Sequence, residues 1–162
     1  MSDNRENKMI TIPQSSTADT RTCDVSTVSL DALYRSSHQH ILDVRRGLAF
    51  FGYLLNDAAA RHDYDKLLDI ESFHADFKTK FTVTDWWDRH RKLNRHHLMQ
   101  ADGVPADVNL IDVLDMIADC VMAGMARAGS VYALNLDPDV LMRAFQNTVE
   151  LLKANVQVQA KP

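Results

Sequence analysis

The chain has little cysteine: Cys23 and Cys120 are the only two in 162 residues. Two are too few for a disulfide framework, so a reducing cytoplasm is the expected location. No stretch approaches the roughly 18 consecutive apolar residues of a membrane span. The start, MSDNRENKMITIPQSS, lacks the apolar h-region of a secretory signal. Positive charge is not in excess. A formal net charge of −4 gives no electrostatic case for nucleic-acid binding. No internal repeat is visible, and strand-like alternation is missing apart from short pieces near Thr82 and Val131.

What is present is ordinary globular usage, 46% hydrophobic and 25% charged. A chain of this length fits one domain and can bury roughly 70% of its unfolded surface. Residues 1–28 are rich in Ser, Thr, Asp and Asn and read as a flexible N-terminal arm. Residues 29–156 read as a helical domain and 157–162 as a C-terminal tail. Helical spacing runs from His38 to Ala60 through Ile41, Val44, Leu48, Phe51, Leu54 and Leu55. Thr84 and Asp85 are candidate caps for a helix bearing Trp86, Trp87, His90 and Leu93. Gly103 and Pro105 break the next stretch, with Asp107 a candidate cap for a long apolar helix through Val108, Ile111, Leu114, Ile117 and Val121. Asp137 and Pro138 open the last helix. The expected fold is all-α, a single bundle of about five to seven helices.

The seven histidines all fall between His38 and His97. His40 lies on the apolar stripe of its helix, as a satisfied core histidine or as a ligand. In "AAARHDYDKLLDIESFH", His62, Asp63 and Lys66 share one side. At about 100° per residue, His90, Asn94 and His97 fall within about 60° of one another. If that helix ends at Asn94, His96 takes the place of His97. Asp112, Asp115 and Asp119 likewise fall within about 60° on a strongly apolar helix. "IADCVMAG" reads as buried, and a buried carboxylate needs a cation or donors. Glu71 and His74 either rim a site or face water.

In order, His40, His62–Asp63, His90, His96–His97 and Asp119 form a set of imidazoles and carboxylates suited to divalent transition metals, Mn, Fe, Co, Ni or Zn. The order resembles the HD-domain phosphohydrolase superfamily, whose pattern is H…HD…D on a helical bundle. The extra histidines resemble its dinuclear and trinuclear branch, including the HD-GYP phosphodiesterases. More closely, "HDYDKL" followed by "WWDRHRKLNRHHL" looks like a small HD-like family of phages and bacteria with an HDxSK…H…NxHH pattern. Asp65 stands where that pattern has Ser, and there is no GYP segment.

The resemblance implies hydrolysis of a phosphate ester or anhydride of a nucleotide or nucleotide signal, in a bacterial or phage-infected cytosol. His40, His62, Asp63 and Asp119 would bind one metal. Asp63 would bridge to a second, held by His90 and by His96 or His97. Lys66 would join Asp63 in catalysis by neutralising phosphate charge. Arg95, Arg127 and Asn94 are further substrate contacts, and Trp86 and Trp87 candidate platforms for a base, at least one of them expected in the core. Two other functions fit the same residues, an HD-like diiron oxygenase and a non-catalytic metal-stabilised module. Homo-oligomerisation is left open.

Overall fold

The structure is a computed structural model that describes residues 9–16 and 18–160; the outermost parts of the expected arm and tail lie outside them. The described residues are mostly helical, as the periodicity predicts. Six α-helices run in order: α1 (Leu30–Arg61), α2 (Tyr64–Leu68), α3 (Ile70–Lys78), α4 (Trp86–Leu93), α5 (Leu110–Ala128) and α6 (Pro138–Ala154). No helix among the described residues is long and apolar enough to cross a membrane.

Contacts divide the described residues into two compact units, one of those up to Tyr53 with those from Glu150 on, the other of Leu54–Val149. In the first unit, β1 (Ile10–Pro13) pairs in parallel with β2 (Val156–Gln159), Ile10 opposite Val156 and Pro13 opposite Gln159. These strands occupy stretches expected to be arm and tail. Ile10, Ile12 and Val156 line an apolar groove with Val44, Leu48 and Leu152. The first helix also begins earlier than the pattern from His38 predicts. The Ser29 hydroxyl accepts the Ala32 N–H at 3.1 Å, which satisfies one of the free donors of the first turn.

The second unit is built around Leu98, Val108, Val113, Met116, Val140 and Ala144, all buried. The cap of α5 is Asn109, not Asp107. Its side chain accepts the Ile111 N–H at 2.9 Å, while Asp112 accepts the Asn109 N–H at 2.9 Å. Asp137 does cap α6, accepting the Asp139 N–H at 2.9 Å. The Thr148 hydroxyl accepts the Leu110 N–H and donates to the Ala144 carbonyl, tying α6 to the start of α5. Fully buried Asp76 on α3 accepts the N–H groups of Thr84 and Trp87, which sets the start of α4 against α3.

Candidate metal centre

Helix α1 gives out just before the site. Asp63 adopts φ 53° and ψ 15°, the left-handed region. Asp tolerates that region better than most residues. The turn is held from outside: the Asp63 N–H donates to Asn94 Oδ1 at 3.0 Å. Asn94 ends α4, so one hydrogen bond joins the end of α1 to the end of α4.

Asp63 then points its carboxylate at three imidazoles. Asp63 Oδ1 lies 3.4 Å from His90 Nε2 and 3.6 Å from His96 Nε2. Asp63 Oδ2 lies 3.7 Å from His62 Nε2 and accepts from Lys66 Nζ. The His96 and His97 rings are 4.4 Å apart, His90 and His97 4.9 Å, and His62 stacks on His96 at 4.4 Å. The buried atoms Asp63 Oδ1, His90 Nε2, His96 Nε2 and His97 Nε2 have no hydrogen-bond partner. Buried polar atoms are normally satisfied, and lone pairs facing lone pairs are costly.

Carboxylates behind the rings decide where the ring protons sit. His90 Nδ1 is 2.7 Å from Asp65 Oδ2. An ionised carboxylate only accepts, so Nδ1 carries the proton and Nε2 keeps its lone pair toward Asp63. His62 Nδ1 meets Asp115 Oδ1 at 2.8 Å, with the same consequence. Burial would raise the Asp65 pKa, but hydrogen bonds from His90 and Asn94 outweigh it and hold the group ionised below its ordinary range. Asp63 is likewise held low against its burial, by the hydrogen bond and charge of Lys66. Burial pushes His97 down to about 4, and it lowers His96 against the pull of Asp115. Both rings are therefore neutral at pH 7, the form a metal requires.

Two three-residue sets can each hold an ion: His62, Asp63 and His96, and Asp63, His90 and His97. Asp63 belongs to both. His96 and His97, read as alternatives, each have a place. That follows from where α4 stops: beyond Leu93 the chain leaves helical phase, so neighbouring histidines converge.

Other expectations change. His40 lies in the first unit, 51% exposed at its side chain and 3.9 Å from Asp19 Oδ2, and is in neither ligand set. The helical phase that put it on an apolar stripe sets direction only. Asp119, expected to be buried, is 35% exposed at its side chain, with Oδ1 3.7 Å from His62 Nε2. The buried aspartate of α5 is Asp112, held by Arg95 and the helix cap. Arg95 is committed to Asp112 and Asp107 and does not offer an open phosphate contact. Asn94 is buried and bonded to Asp63, Asp65 and the His90 carbonyl, a support of the site and not a surface for substrate. Trp86 is buried with its ring parallel to His90 at 5.0 Å, so it backs His90 and has no face free for a base. Arg127 pairs with Tyr132 at the end of α5. Glu71 and His74 are exposed.

Neither Asp65 nor Asp115 was expected among the site residues. The signal for Asp65 was its departure from the HDxSK pattern. Asp115 shared the stripe of Asp112 and Asp119. No family model matches the chain, and no curated protein or solved structure matches it significantly.

Proposed function

We propose that the chain is a metal-dependent phosphohydrolase, acting on a nucleotide or nucleotide signal, as its resemblance to HD-domain proteins implies. The observation that carries this reading is the convergence of partnerless, buried ligand atoms on Asp63, in two sets that share it. A set dominated by neutral imidazole with a bridging carboxylate suits Mn, Fe, Co, Ni or Zn. His62, Asp63 and His96 would hold one ion and Asp63, His90 and His97 the other, with Asp119 beside the first.

Ions held there would supply a bound water of lowered pKa and positive charge beside the phosphate oxygens. The chain's own residues prepare for this. Asp65 and Asp115 keep the Nδ1 protons of His90 and His62 pointed away from the centre. Lys66 is the cation at the open side, 30% exposed while paired to Asp63, and serves to offset phosphoryl charge. Asp119, 35% exposed with Oδ1 3.7 Å from His62 Nε2, would receive a proton. Trp86 is buried and offers no face to a nucleotide base, which leaves half-buried Trp87 as the ring that would stack one.

The test is a panel of nucleoside mono-, di- and triphosphates and cyclic dinucleotides, with Mn, Co or Ni added to protein purified without chelator. Phosphate or pyrophosphate release that disappears in Asp63→Asn, with folding retained, is the expected result. Asn is chosen because it keeps the left-handed turn. An iron-bound protein that consumes oxygen without releasing phosphate would overturn the proposal in favour of the oxygenase.

A further inference from the structure

We infer that Asp65 is a positioning residue for one half of the centre only, so that the two halves can be weakened separately. The inference rests on the two-ion reading above. Asp65, Asn94, His90 and Asp63 form a closed ring of contacts. Asp65 Oδ2 accepts from His90 Nδ1 at 2.7 Å, and Asp65 Oδ1 accepts from Asn94 Nδ2 at 2.9 Å. Asn94 Oδ1 accepts the Asp63 N–H, and His90 Nε2 returns to face Asp63 Oδ1 at 3.4 Å. Asn94 Nδ2 also lies 3.0 Å from His90 Nδ1. Because that nitrogen already carries a proton for Asp65, the amide hydrogens go to Asp65 and to the His90 carbonyl at 3.1 Å.

The side chain of His90 is 0% exposed. Its ring lies between Trp86 at 5.0 Å and Trp87 at 5.3 Å, both nearly parallel to it. The tryptophans fix the plane of the ring, but stacking cannot choose which nitrogen faces inward. Among the described residues, Asp65 is the carboxylate bonded to Nδ1, and it makes that choice. A serine, which the related pattern has at this place, both donates and accepts and so leaves the tautomer undetermined.

The other half has a different anchor. His62 Nδ1 bonds to Asp115, and His96 Nδ1 lies 3.4 Å from the other oxygen of the same carboxylate. No contact links Asp65 to His62 or His96 among the described residues. Carboxylates behind metal-bound histidines are worth about 10–100-fold in metal affinity. Removing Asp65 should therefore weaken the ion at Asp63, His90 and His97 and leave the ion at His62, Asp63 and His96.

The experiment is titration of the full chain with Co(II), followed by visible absorption and by bound metal per chain after gel filtration. Wild type should take up two ions. Asp65→Ala should retain one ion at wild-type affinity and bind the other about 10–100-fold more weakly. Asp65→Asn, whose amide oxygen can still accept from Nδ1, should fall between them. Asp115→Ala should weaken the opposite ion, with a different change in the absorption bands. The ion retained by Asp65→Ala reports that the fold survives. Equal weakening of both ions, or of neither, in Asp65→Ala would overturn the inference while leaving the metal centre intact. A wild-type chain that binds no Co(II) would instead remove the proposed function.

Discussion

At the scale of single residues, Asp63 joins two demands that usually conflict. Its backbone sits in the left-handed region at φ 53°, and its carboxylate belongs to both ligand sets. Removing the carboxylate with Asp63→Asn or with Asp63→Ala loses the Lys66 pair equally. Ala also bears the left-handed penalty, so it should be about 1 kcal/mol less stable than Asn in urea unfolding with chelator present. Equal stabilities would show that the turn is not strained. Gly103 is a second pressure point. A Cβ there would lie 2.4 Å from the His97 carbonyl oxygen, a backbone atom that cannot swing aside. Gly103→Ala should push His97 out of line and weaken the ion held with His90, read as reduced metal retention on dialysis. The five residues of the two candidate sets, His62, Asp63, His90, His96 and His97, were legible because their order and residue types survive without knowledge of the fold. Asp65 and Asp115 were not, since a carboxylate behind a ring differs from a surface carboxylate only in what faces it. Trp86 and Arg95 mislead for a like reason: ring and guanidinium chemistry suits a substrate, but Trp86 is buried and the Arg95 guanidinium is taken up by Asp107 and Asp112.

At the scale of elements, the site depends on where helices end. The end of α1 delivers His62 and Asp63, and the end of α4 delivers Asn94, His96 and His97. Arg91 of α4 donates to Gln100 and Asp102 at 2.7 Å, which holds the following segment and its Gly103 against the site. Helix α5 carries Asp115 and is closed by Gly129 at φ 64°, where an added Cβ would meet nothing within 4 Å. Gly129→Ala therefore isolates the conformational cost. A loss of about 1 kcal/mol in the denaturation free energy is expected, with metal binding unchanged. No loss would mean that the helix end rearranges freely. Helix periods and the cap at Asp137 were readable because they are local. The pairing of ITIP with VQVQ was not. Each strand is four residues long and its partner lies at the other end of the chain.

At the scale of the molecule, the candidate site should make stability depend on pH and, with ions bound, on metal. In chelator-treated protein, folding keeps His97 neutral down to about 4, below its ordinary 6.5, and lowers His96 in the same direction. The unfolded chain then binds more protons than the folded one between those values. Stability should be greatest above about pH 6.5 and fall as the pH drops toward 4. Urea midpoints at pH 7 and pH 5 check this, and a higher midpoint at pH 5 would contradict it. Bound metal should raise the unfolding free energy by mass action, by about 2.7 kcal/mol per site at a hundredfold excess over Kd. The central claim is that Asp63 lies between two ions. Its most direct measurement is metal content per chain after equilibration with Mn(II) or Co(II), for wild type and for Asp63→Asn. Two ions in wild type, with both weakened in the variant, is the expected result. A folded wild-type chain that retains none would contradict it.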